Sequence, residues 1–186
     1  TITNIGSFDL ISISTRSINT MEHSYDGDWG NSNYWGWPYD YYDKTTRTRD
    51  TFTKEFRLIS SDKSKRSSLS FGIFYRHVDE TDSTKGWLFD GDTKFNGNFD
   101  INSIAGYAQI RFLLLRDLTS EVSFRAEKST IEYIGNSEVN ITDWSTPYPY
   151  DVTTHTNEIS HTTKDDLLGA KTALSYHFYN GLLYLS

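Results

Sequence analysis

Apolar and polar residues alternate with a period of two along most of the chain, and helical spacing is weak throughout. Val122, Phe124 and Ala126 interleave with Glu121, Ser123, Arg125 and Glu127, so one face of that segment is apolar and the other charged. Leu69, Phe71, Ile73 and Tyr75 interleave with Ser70, Gly72 and Arg76, with Phe74 out of pattern. Phe52, Phe56 and Leu58 oppose Thr51, Thr53, Glu55 and Arg57, with Lys54 as the misfit. Leu168, Ala170, Leu174, Tyr176 and Phe178 oppose Gly169, Lys171, Ser175 and His177. This pattern predicts strands over residues 6–20, 47–60, 67–81, 101–115, 118–134, 162–178 and 182–186. Most of them exceed the roughly five or six residues usual in globular sheets, whereas a tilted strand crossing a bilayer needs about 9 to 11.

The predicted connections alternate in length. Long ones cover residues 21–46, 82–100 and 135–161; short ones are "SDKSKR" at 61–66, Arg116 with Asp117, and "YNG" at 179–181. Transmembrane barrels show this asymmetry, with short periplasmic turns and long extracellular loops, and a soluble sandwich has no reason to keep it in register. Alternation alone leaves the facing open, because a sandwich turns its apolar face inward and a barrel turns it toward lipid. Strand length and loop asymmetry favour the barrel. The last strand, "LLYLS", is about half the crossing length and would leave an edge unpaired, so the chain is expected to be a piece of a longer barrel.

Composition narrows the picture. The mean hydropathy of -0.59 and a longest apolar run of only Phe112 to Leu115 exclude a helical membrane protein, but a barrel needs only every second residue apolar. A net charge of -7 argues against a nucleic-acid partner. Cysteine is absent, which rules out disulfides and thiolate metal sites. The opening "TITNIGSFDL" has no basic region followed by an apolar stretch and no initiator methionine, which favours a mature or internal piece of an exported protein.

Rings concentrate in "SYDGDWGNSNYWGWPYDYYD", residues 24–43, among acids and glycines with almost nothing aliphatic beside them. That stretch, followed by an arginine-containing strand and "TKEFRLIS" (residues 53–60), resembles TonB-dependent outer-membrane receptors, in which an aromatic and acidic loop precedes a strand of the type (S/T)-Q-E-(L/F)-R-L-x-S. "LSFGIFYRHVDE" is similar to the family's next strand, "IAGYAQIRFLLLRDLTSEVSFRAEKS" to its Y-(A/G)-Q strand, turn and Arg-containing return, and "DDLLGAKTALSYHFYNGLLYLS" to its (W/L)-(S/G)-x-K-x-(S/A)-L-x-Y strand and the turn after it. Lys54 stands where the family has glutamine, and the turn after "FLLL" is more apolar than its usual pattern, which leaves the subfamily and substrate open.

The resemblance implies a transmembrane antiparallel β-barrel in the bacterial outer membrane, of about 22 strands in the whole family member. Residues 1–186 would supply about seven of them, with no plug domain and no TonB-contacting box in this chain, which could not transport alone. Such receptors import scarce small-molecule nutrients, ferric siderophores among them, with energy from the TonB system acting through the plug. The resemblance implies that Glu55, Arg57, Arg125, Glu127 and Lys171 face the lumen as a charged network holding barrel to plug. If the outer loops touch ligand, Trp29, Tyr34, Trp35, Trp37 and Tyr39 are the candidates, since rings offer large contact area at low entropic cost; the other reading, which the sequence alone favours, is that they brace the loop above the outer girdle. Tyr75, Tyr133, Phe178, Tyr179 and Tyr184 lie near predicted strand ends, as girdle rings would.

No catalytic constellation or cofactor motif is present, so no enzyme activity is expected. The two "DGD" triplets at 26–28 and 90–92 lack the ligand spacing of a calcium loop, and His155 with His161 lacks a third metal ligand. Two other readings stay open: a soluble carbohydrate-binding β-sandwich that stacks sugars on the same rings, and a passive porin-like channel.

Overall fold

The computed structural model describes residues 1–26, 42–60, 66–88, 91–143, 145, 150–156 and 158–186. Among them, nine strands form one antiparallel sheet: β1 (Ile2–Ile5), β2 (Phe8–Asp26), β3 (Tyr42–Ser60), β4 (Ser67–Leu88), β5 (Gly91–Leu115), β6 (Leu118–Asp143), β7 (Tyr150–His155), β8 (Ile159–Phe178) and β9 (Gly181–Leu185). Every strand pairs with its sequence neighbour, except that β7 and β8 both pair with β6, one above the other. This meander puts each side chain in a row that runs straight across the sheet, so parity along a strand decides its face.

The strand expected over residues 6–20 is β2, which starts at Phe8 and runs on to Asp26, and a further short strand, β1, precedes it. Gly6 takes φ 63, a left-handed backbone that suits glycine, and with Ser7 it turns the short β1 back against β2. The turn between β5 and β6 lies at Arg116 and Asp117 as expected, with a register shift between Leu113 and Leu115 just before it.

The expected long connection over 82–100 is also strand. β4 and β5 stay paired from Ser67↔Phe112 out to Leu88↔Gly91. β6 likewise continues to Asp143, and β7 pairs beside it inside the segment expected to be loop. The reason is physical: where both faces of a sheet are wet, apolar periodicity vanishes from the sequence while backbone pairing persists. Threonines 81, 84 and 93, good strand formers, mark the extension.

Burial on the two faces is inverted relative to a soluble sheet. On one face lie Phe56, Ile73 and Leu168 in a single row, and Phe71 and Phe124 in the next; Leu168 is 89% exposed, Phe124 60% and Ile73 59%. On the opposite face, Ser103 is 1% exposed and Glu80 7%, and Ser129 is also buried. Only Val78, Ala105 and Ala173 are buried apolar residues among those described, and all three lie on the polar face. A sandwich would need a second sheet over the apolar face; the described residues form one sheet only.

The apolar rows make a belt. Along β5 it runs from Ile104 to Leu115, about 37 Å of strand at about 3.4 Å per residue, or about 28 Å in height at a tilt near 40°. That is close to the height of about 25 Å of a barrel's outward apolar band. Tyr75 closes the belt on the long-hairpin side and Phe178 lies on the same outer face near the opposite end, as girdle rings should. Tyr133 and Tyr184 differ from expectation: pairing places Tyr133 opposite Phe99, and Tyr184 opposite Ser175, both on the polar face. Their proximity to predicted strand ends misled, because the strands run further and parity sets the face.

Amide exchange tests the extended hairpin. Backbone amides of residues 81–86 and 93–98 are expected to exchange as slowly as those of the belt; random-coil exchange there would return the segment to a loop.

Candidate functional site

The concave polar face carries the candidate site, a cavity of about 800 Å³ lined by Glu55, Arg57, Tyr107, Gln109, Arg125 and Lys171 among others. Direct pairing sets Arg57, Gly72, Tyr107, Arg125 and Gly169 in one row, and Glu55, Phe74, Ala105 and Glu127 in the next. Two-residue spacing then brings each arginine beside a glutamate of its own strand.

Arg57 Nη2 reaches Glu55 Oε1 at 2.8 Å, and Arg57 Nε donates to the Tyr107 hydroxyl oxygen at 2.9 Å. The Tyr107 hydroxyl in turn donates to Glu55. Arg125 Nη2 meets Glu127 Oε2 at 2.8 Å, and the Arg125 guanidinium lies 5.7 Å from the Phe74 ring centroid. Lys171 Nζ sits 5.7 Å from the Tyr184 ring centroid. The five charged residues singled out from the sequence therefore share one face, and all but Glu127 line the cavity; they divide into a triad, a pair and a lysine set over a ring.

Tyr107 was missed as a member of this group. Its ring lies across the floor at Gly72, where an added Cβ would come within 2.2 Å of the ring's Cζ. The signal was present as a glycine in a strand, which often marks close approach of another group.

A second cluster lies on the same face beyond the level of the belt. Arg49 bonds Glu80, and Arg47 Nη2 reaches Asp82 at 2.6 Å while its Nε stands 3.4 Å from Glu80. The hydrogen bond from Arg47 to Asp82 raises the arginine's pKa above its ordinary value. Beside this cluster the Phe99 and Tyr133 rings pack with centroids 4.7 Å apart, the tyrosine lying over Gly97 and Gly135. On the outer face at a similar height, Arg16 grips Asp50 at 2.5 Å, and that hydrogen bond holds the Asp50 carboxyl below the usual carboxylate range.

Among the described residues no group of three or more His, Asp or Glu side chains is gathered to hold a metal ion. The charges are largely paired with one another, an arrangement suited to fixing a surface or holding a partner. Trp29, Tyr34, Trp35, Trp37 and Tyr39 lie outside the described residues.

Two outcomes are expected. Gly72→Ala should push Tyr107 off Glu55 and Arg57 and destabilise the fold by about 1–3 kcal/mol in urea unfolding, the usual cost of overpacking, whereas Gly106→Ala, with open space at the Cβ, should lack that steric cost. Because the folded Asp50 pKa is lowered, its contribution is present above the ordinary carboxylate range and is lost as pH falls through the depressed value. Arg16→Gln should therefore raise the Asp50 titration midpoint in NMR; an unmoved midpoint would remove the ion pair as its cause.

No protein-family model matches the chain, and no curated protein matches it in sequence. Solved structures do resemble it, among them the ferric yersiniabactin uptake receptor FyuA from Yersinia pestis, with a TM-score of 0.68 at 10% sequence identity. The match covers 98% of this chain and 26% of that receptor, so the chain spans about a quarter of its length. At that identity the likeness is one of fold: the meander described above matches a stretch of that receptor's chain.

Proposed function

We propose that this chain is part of the wall of a plugged outer-membrane barrel that takes up a scarce small-molecule nutrient, such as a ferric siderophore complex, with energy delivered by TonB. The observation that carries this reading is the inverted burial: exposed apolar rows of bilayer height on one face, paired charges on the other. Lipid would cover the first and a hydrated lumen the second. The fold shared with the ferric yersiniabactin receptor supports the same reading.

In this reading the barrel's function is capture and passage, not catalysis. Residues 1–186 belong to the barrel domain, and the plug that contacts TonB belongs to a region of the protein other than these residues. The Glu55–Arg57–Tyr107 triad, the Arg125–Glu127 pair and Lys171 present a preformed charged surface to that plug. Because each glutamate already holds an arginine, the wall can release a plug contact without stranding a bare charge. The rings of Trp29, Tyr34, Trp35, Trp37 and Tyr39, between β2 and β3 on the long-hairpin side, serve ligand capture.

Fractionation of cells expressing the protein with its full native chain tests the membrane reading. It should sediment with outer membranes and need detergent for extraction; a soluble, monodisperse protein would instead favour a carbohydrate-binding module. Alanine at all five rings should weaken ligand binding by at least roughly tenfold. Unchanged affinity would take the rings out of the ligand site and leave the barrel intact.

A further inference from the structure

The outer face changes character abruptly on the long-hairpin side of the belt. The last row without a charged residue holds Phe56, Ile73 and Leu168, with Ser12 at its β2 end. The next row carries Lys54, Tyr75, Ile104, Lys128 and Asp166, and the one after it Arg16, Phe52, His77 and Lys164. One row further out the same strands present Asp50, Asp79, Asp100 and Glu132 side by side. Cations therefore collect where the apolar surface ends, and carboxylates collect just beyond them.

Some of those cations are already engaged. Lys54 donates to the Ser12 and Ser14 hydroxyls at 2.9 and 2.7 Å, and Arg16 is held by Asp50. Lys128 and Lys164 are exposed and have no hydrogen-bond or ion-pair partner among the described residues. They are diagonal neighbours: Lys128 pairs with Asp166 and Lys164 with Thr130. Such positions stand about 7–8 Å apart, within reach of two flexible stems converging on one group. Asp166 lies opposite Lys128 and Glu132 diagonal to Lys164, and neither carboxylate closes an ion pair, so both ammonium groups stay open to an incoming anion.

We infer that Lys128 and Lys164 dock the phosphate of a lipid headgroup in the leaflet on the long-hairpin side. This rests on the outer-membrane reading above and adds to it a partner and a place. Three features select that partner. The site adjoins the apolar belt, where acyl chains would lie, so a headgroup phosphate falls at its level. Its two open ammonium groups complement a phosphate. The row of Asp100 and Glu132 repels anions from the next level outward and so confines the phosphate to the lysines.

Reconstitution of the full native protein into mixed vesicles tests this, with lipids retained by the protein read by native mass spectrometry. Offered phosphatidic acid and phosphatidylcholine equally, the protein should retain the former by about 25-fold, about fivefold for each lysine near the headgroup plane. Lys128→Gln with Lys164→Gln should bring the ratio close to parity, and Lys85→Gln, which removes the same charge far from the belt, should leave it unchanged. Excess inorganic phosphate should not lower the ratio. A wild-type ratio near one, a preference that survives the double substitution, an equal loss with Lys85→Gln, or competition by free phosphate would each overturn the inference. Protease protection of inserted protein is measured alongside: insertion without preference defeats the docking site alone, while failure to insert defeats the membrane reading beneath it.

Discussion

Backbone hydrogen bonding between neighbouring strands holds this structure together, because almost nothing apolar is buried within it. Val78, Ala105 and Ala173 are the buried apolar residues among those described, too few to drive collapse of a sheet this size. Each strand is instead tied along nearly its whole length to its neighbours, β5 to β6 from Gly91↔Ile141 to Leu115↔Leu118. A peptide group left unpaired away from water costs several kcal/mol, so a continuous ladder matters most where the apolar rows are covered. Strand length, the meander order and the tight turns on one side all follow from keeping that ladder unbroken.

Once the ladder fixes the rows, side chains act through the faces. Apolar rows have no internal partner and depend on the surroundings to cover them. Polar rows must satisfy themselves, and do so by pairing within a strand, as Glu55 with Arg57 and Arg125 with Glu127, or across strands, as Ser103 with Ser129 at 3.0 Å. Glycine enters where a ring must lie flat: Tyr107 over Gly72 and Tyr133 over Gly135. The polar face therefore owes its low exposure to curvature and to rings laid along the wall.

The belt portion of the fold was legible in the sequence because the positions of its apolar and charged faces alternate in chemistry as well as geometry. Phe124 against Arg125 and Leu168 against Gly169 announce strand and face together. Outside the belt both faces are wet, so Thr81 and Asp82 carry no contrast and the extension of β4 and β5 left no trace in the pattern. Of the inner face, the charged positions were readable by parity alone. Their partition was not, since it depends on Tyr107 reaching across from β5, a contact made in three dimensions with only Gly72 to hint at it.

The neighbour of β6 changes register by one residue between its two parts: Glu138 pairs with His155, but Gly135 with Ile159. Below this step β8 is aligned by its own eighteen-residue ladder from Leu118↔Tyr176 to Gly135↔Ile159, and above it β7 keeps a separate alignment. The step acts as a clutch between wall and outer hairpin. A residue gained or lost above it can be absorbed by β7 and its turn without rotating any wall side chain from one face to the other. The outer part of the sheet is thereby free to change length and surface while the wall beneath keeps the parity on which its covering depends.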